Sequence, residues 1–252
     1  MESNEEKIVG GEEKLSPVSL TESSRALRWL DNFWYHHKWG VIITLFFAVI
    51  LIVGIVQICD RESYDMQVSV AVPYTMKAQE KEDFVDLLAQ FCQDYNEDGK
   101  TLVFLHTDQV YSSEEYESEK AYWEQQSEQF YIDSAYNSNQ LEDFEQYIMQ
   151  GECTLMFLSP YVYSLKKESD HLLPLTELYG DAALPSGATE DGLGIRLAET
   201  DFYRYNPAAH ALPADTIICL QRPLIDMKNW KTYDDSHARE VFRAIADYCV
   251  KE

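Results

Sequence analysis

From Gly40 to Cys59 the chain reads GVIITLFFAVILIVGIVQIC, twenty residues with no charged side chain and a single Gln. As a helix rising about 1.5 Å per residue, such a run reaches about 30 Å, the thickness of a bilayer's hydrocarbon core. A lone segment in lipid must satisfy its own backbone hydrogen bonds, and only a helix does so. A buried soluble helix and the core of a secretion signal are the competing readings. Signal cores are shorter and end at a small-residue cleavage site, whereas Gln57, Ile58 and Cys59 make a poor one. The small residue that precedes the Cys of a lipoprotein signal is also missing. The segment reads as a retained signal anchor, with the lipid bilayer as the partner of residues 40–59.

The flanks set an orientation. Arg25, Arg28 and Lys38 precede the span, while Asp60, Arg61, Glu62 and Asp65 follow it. The positive-inside bias predicts a cytoplasmic N-terminus and an extracytoplasmic C-terminal part. The expected organisation has four pieces. Residues 1–18 form a polar, disordered cytoplasmic tail. Residues 19–39 form a juxtamembrane helix, with Ser19 and Glu22 as a capping box and Trp29, Trp34 and Trp39 as an aromatic belt. Residues 40–59 are the span, and residues 60–252 form an extracytoplasmic domain. A docking helix for a membrane partner is the alternative for residues 19–39.

Charge narrows the partners. The chain holds 20 Lys and Arg against 44 Asp and Glu, a net charge of −24. Residues 60–252 hold 15 of the former and 37 of the latter, so −22 lies beyond the span. A nucleic-acid binder needs a basic footprint, so DNA and RNA are excluded as expected partners. Cations and basic surfaces suit this domain better.

Within residues 60–252 strands and helices alternate. Met66, Val68, Val70 and Val72 mark a strand ending at Pro73. Lys81 to Gln93 reads as a helix with Phe84, Leu88 and Phe91 on its apolar face, and Asp98-Gly99 follows as a turn. Leu102 to Leu105 is a short continuous apolar run, as a strand covered on both faces shows. Asn139 with Glu142 predicts a helix start, Gly151 a stop, and Thr154 to Leu158 another buried strand. Ser159-Pro160 opens a helix, Pro being tolerated in the first turn. Ile195 to Leu197 and Thr216 to Leu220 are weaker strands, and a helix closes the chain from about Ser236. The fold class expected is α/β, a mostly parallel sheet flanked by helices and preceded by one transmembrane helix. Between the second and third strands, Tyr111 to Tyr136 interleaves Glu114, Glu115, Glu117, Glu119, Glu124 and Glu128 with aromatics. This is an exposed helical insertion or an aromatic binding surface.

The order Met66–Pro73, the helix through Phe84, and Thr101–Asp108 resembles the opening of type 2 periplasmic-binding-protein-like domains. Gln140 to Gly151, then Cys153 to Tyr161, resembles the helix, glycine, strand and new helix by which extracellular solute-binding proteins build their third strand. Leu173-Pro174-Leu175-Thr176-Glu177-Leu178 is similar to a turn that often follows. The resemblance covers about half of the domain and implies recognition of a solute without catalysis. A full member has two lobes, and this chain has length for about one, so the fold expected is a single-lobe version.

Open parallel sheets bind ligands at the carboxyl ends of their strands. That rule nominates Tyr74, Thr75, His106, Asp108, Ser159 and Tyr161, whose aromatic and hydrogen-bonding groups suit a small polar solute. Asp94, Asn96 and Asp98 before Gly99 match the first half of a calcium loop, but Leu105 stands where the closing acid is expected. A tight acidic turn is the plainer reading. No CxxC, HExxH, GxSxG or phosphate-binding glycine loop occurs, so catalysis is not expected. Cys92, Cys153 and Cys249 fall on core-facing positions and Cys219 in a strand, as buried free thiols. The function expected is a membrane-anchored extracytoplasmic recognition module, solute-binding-like and non-catalytic. An accessory or scaffold subunit of a membrane complex is the alternative, and a cell-surface hydrolase the second.

Overall fold

The computed structural model describes residues 25–59, 63–126, 134–151, 153–226 and 230–249. The chain divides into two units, 1–62 and 63–252, each taken by itself. In the first, one helix, α1 (Arg25–Cys59), runs unbroken for 35 residues, so the aromatic segment and the apolar run share one helix. Trp29–Gln57 is long and apolar enough to cross a membrane, and none of it is buried within the protein. Trp29, Trp34 and Trp39 are exposed, like the apolar residues that follow them on the same helix. The predicted tail 1–18 and the Ser19–Glu22 cap lie outside the described residues.

The second unit is an α/β sandwich. Its main strands are β1 (Met66–Val72), β2 (Val103–Gln109), β3 (Leu155–Leu158), β4 (Gly194–Arg196) and β5 (Ile217–Leu220), arranged β2-β1-β3-β5-β4. β1 pairs in parallel with β2 and β3, while β5 runs antiparallel to both β3 and β4. The sheet is therefore mixed. A strand covered on both faces reads as an apolar run whichever way it points, so the direction of β5 comes from its connections. The short helix α6 (Leu175–Tyr179) precedes β4, and between β4 and β5 lie only short turns of helix, including α7 (Asp201–Tyr205), in place of the long crossover helix that usually links parallel strands.

Two helical layers cover the sheet, and side-chain alternation assigns each residue to a face. On one side Val68, Val70, Leu155, Phe157 and Ile218 pack against Phe84, Leu87 and Leu88 of α2 (Ala78–Ala89) and Val241, Phe242 and Ile245 of α8 (Ser236–Ala246). On the other, Ala71, Met156, Leu158 and Cys219 meet Phe144 and Ile148 of α4 (Ser134–Ile148) and Val162 and Tyr163 of α5 (Pro160–Glu168). Ser159 caps α5, its hydroxyl accepting from the Val162 N–H, and Pro160 takes the first position. Past the end of α4, Gly151 has φ +87, and a Cβ there would run into the Tyr233 ring. Glycine is required at this helix stop on both counts.

The edge strand β4 is held by a polar network. The Tyr163 hydroxyl and the Thr189 hydroxyl each donate to Asp191 Oδ1 at 2.6 Å, the Leu193 N–H reaches the same oxygen, and Lys167 Nζ lies 2.8 Å from Oδ2. Burial disfavours the Asp191 charge, but the bonds from Lys167, Thr189, Tyr163 and the Leu193 N–H outweigh it and hold the carboxyl well below its usual range. A depressed carboxyl contributes stability above its unfolded pKa of about 4 and loses it as pH falls through the folded value. Asp191→Asn is therefore expected to cost about 2 kcal/mol at neutral pH. In urea melts the gap from the native chain should close progressively below about pH 4.

Candidate functional site

The sheet order fixes where a site can form. The chain leaves β1 toward β2 on one side, and β3 pairs on the other. The carboxyl end of β1 is thus the switch point of the sheet. Tyr74 and Thr75 stand there, both exposed. The Tyr74 hydroxyl donates to Glu80 Oε2 at 2.7 Å, and that oxygen also accepts the Lys77 N–H at 2.9 Å. The bond to Glu80 raises the phenol, and the Lys77 N–H lowers the Glu80 carboxyl. Tyr74 is therefore tied to the start of α2. Across the switch point, the Ser159 hydroxyl is committed to its helix cap and its N–H to the Ala71 carbonyl. Tyr161 follows in the first turn of α5 and is half-buried.

His106 and Asp108 are not at this edge. They lie within β2, on the face covered by α4, two residues apart and so side by side. Their side chains meet at 3.0 Å, Nε2 to Oδ2. The six nominated residues thus fall into two places: four around the ends of β1 and β3, and two inside the sheet.

A cavity of about 390 Å³ opens beside the end of β1. Pro73, Tyr111, Glu114, Glu115, Ser118 and Glu119 line it. Four of these belong to α3 (Ser113–Gln125), the first part of the acidic stretch 111–136, whose residues 127–133, Glu128 among them, lie outside the described residues; α3 buries none of its own residues. Ser112 starts the helix with a reciprocal cap, its hydroxyl accepting the Glu115 N–H while Glu115 Oε2 accepts the Ser112 N–H. Glu119 accepts the Trp123 indole N–H at 2.8 Å. Tyr111 is 5 % exposed and its hydroxyl accepts from Gln109 at 2.6 Å. Burial, then the Glu119 charge, push its phenol up to about 12, with the Gln109 bond opposing. The cavity therefore holds a neutral phenol and three carboxylates, a lining that favours a cationic group.

Sequence reasoning marked the acidic aromatic stretch but not this cavity, because it depends on where α3 lies against Pro73. Asp65, which reads in the sequence only as part of the acidic flank of the span, has a structural role as well. This residue is 8 % exposed, and its carboxylate accepts the N–H groups of Tyr95, Asn96 and Leu102, tying the loop after α2 to the start of β1. In that loop Asp94 accepts from the Asp98 and Gly99 N–H groups, Asn96 Oδ1 from Asp98, and Asp98 Oδ1 from Lys100. The oxygens nominated for calcium are engaged in closing the turn. Among the described residues no group of three or more His, Cys, Asp or Glu is placed to hold a metal.

The thiols divide differently from expectation. Cys153 and Cys219 are buried, and burial pushes both well above the ordinary thiol range. Cys92 is half-buried and pushed up to about 12 by burial first and then by Asp65 and Glu240. Cys249 is exposed, not core-facing, because α8 ends at Ala246 and the residue lies past its apolar stripe. No protein-family model, no curated protein and no solved structure matches this chain.

Proposed function

We propose that this chain is a membrane-anchored recognition module that displays its α/β unit outside the cell and binds a cationic polar solute without chemical change. The observation that carries the reading is the acidic cavity at the carboxyl ends of β1 and β2, where open α/β sheets take ligands. The sequence resemblance to extracellular solute-binding domains supports it, as does the formal charge of −22 beyond the span. The apolar helix α1 supplies the anchor, and the basic flank before it supports a cytoplasmic N-terminus.

One observation favours the scaffold alternative. α3 buries none of its residues and carries Tyr122 exposed, as a helix awaiting a protein partner would. The two readings separate in a thermal-shift screen on the full chain in detergent, run with polyamines, basic amino acids and neutral or acidic controls. Binding to the folded state at about a hundredfold excess over Kd adds about 2.7 kcal/mol, or roughly 5–10 °C for a unit of this size. The solute reading expects saturable shifts from cationic compounds alone, reduced by Glu114→Gln with Glu119→Gln. No shift from any compound, together with stoichiometric co-purification of a membrane protein, would replace it with the scaffold reading.

A further inference from the structure

Under α4, three buried polar atoms of the sheet have no hydrogen-bond partner: Ser69 Oγ, His106 Nε2 and Asp108 Oδ2. Ser69 is wholly buried and Asp108 is 4 % exposed. They occupy one face of two adjacent strands. Ser69 is the register partner of His106, and Asp108 is paired with Ala71. A carboxylate this deep, without a donor on one oxygen, is costly unless a positive group meets it. His106 Nε2 approaches to 3.0 Å, yet the two atoms do not have hydrogen-bond geometry. That spacing has another meaning. Two donors bound to one divalent ion at about 2.1 Å lie about 3.0–3.4 Å apart in octahedral or tetrahedral coordination.

The imidazole is held in place from above. Its ring stacks on Tyr147 of α4 at 4.0 Å, and the Tyr147 hydroxyl donates to Gln67 Oε1 on β1 at 2.7 Å. A ring fixed by packing presents its nitrogen at low entropic cost. About a quarter of the His106 side chain remains exposed, which leaves a route inward. An imidazole nitrogen with a carboxylate and a hydroxyl oxygen is a mixed set suited to zinc, manganese or cobalt, more than to calcium or magnesium. We infer that His106 and Asp108, with the Ser69 hydroxyl beside them, bind a divalent transition-metal ion between β1 and β2. Water completes the coordination, since the protein offers at most three donors. This site is separate from the acidic cavity and stands or falls independently of the solute reading.

The test uses the full chain in detergent micelles after treatment with a chelator, titrated with Co(II) by visible absorption and with Zn(II) by calorimetry. One saturable equivalent is expected. His106→Gln and Asp108→Asn should each weaken it by at least the roughly 10–100-fold that follows even the loss of an outer partner. Asp94→Asn with Asp98→Asn should leave it unchanged. Nitrogen-15 histidine spectra of the unaltered chain give a readout that no folding defect can confuse, with Zn(II) expected to shift the His106 ring. Absence of saturable binding, survival of binding in both strand variants, loss of binding in the loop variant, or histidine spectra indifferent to Zn(II) would each overturn the site.

Discussion

Phe157→Ala is expected to lower the unfolding free energy of residues 63–252 by about 3–5 kcal/mol. Phe157 sits in the central part of the sheet, on β3, wholly buried. Its ring meets Phe84 of α2 edge to face, with centroids 5.4 Å apart and planes at 81°. One substitution therefore removes a large buried side chain and an aromatic pair, and it leaves a cavity between a strand and the helix that covers it. Phe157 and its neighbour Val70 on β1 are register partners, so the loss falls where the parallel and antiparallel halves of the sheet join. Chemical denaturation of the native and altered chains gives the number directly. A cost below about 1 kcal/mol, typical of surface positions, would mean that the core is not built around this contact.

Placing two arginines in the apolar helix, Ile50→Arg with Val53→Arg, is the second large effect. Each arginine at the centre of a membrane helix costs about 2.5–3.5 kcal/mol on insertion scales, so the pair costs about 5–7 kcal/mol. Both residues are exposed on α1, with no protein surface in their own unit to receive the charges. The altered chain should leave the membrane pellet and accumulate in the soluble fraction. The Phe157 variant should stay in the pellet, since the two units are separate bodies of contacts. Equal pelleting of the arginine variant and the native chain after alkaline carbonate washing would mean that something other than this helix holds the protein.

How much of this was written in the sequence differs from element to element. Met66 to Val72 declared itself because alternating valines between polar positions fit a strand. Ser159-Pro160 declared the start of α5, since a hydroxyl cap followed by proline has one structural use. α2 begins at Ala78, three residues earlier than the apolar pattern suggested, because Glu80 rather than an apolar residue closes its first turn. Thr216 to Leu220 reads as a strand, but the antiparallel direction of β5 does not show, since Ile217 to Leu220 is apolar either way.

The candidate site was partly legible for related reasons. Local spacing put Tyr74 and Ser159 at strand ends, which needs only the end of each strand. It put His106 and Asp108 there too, but β2 extends to Gln109 and carries both inside the sheet. The cavity under α3 and the orphaned atoms under α4 arise where segments distant in sequence meet. Nothing in a single stretch of chain announces them.

If a single helix anchors an outward-facing α/β unit, the two ends of the chain lie on opposite sides of the membrane. Protease added to intact cells, followed by carbonate extraction and detection with tags at each terminus, tests it most directly. The C-terminal tag should be lost from outside, while the N-terminal tag stays protected in a membrane-bound fragment reaching just past Cys59. A C-terminal tag protected in intact cells and cut only after lysis would contradict it.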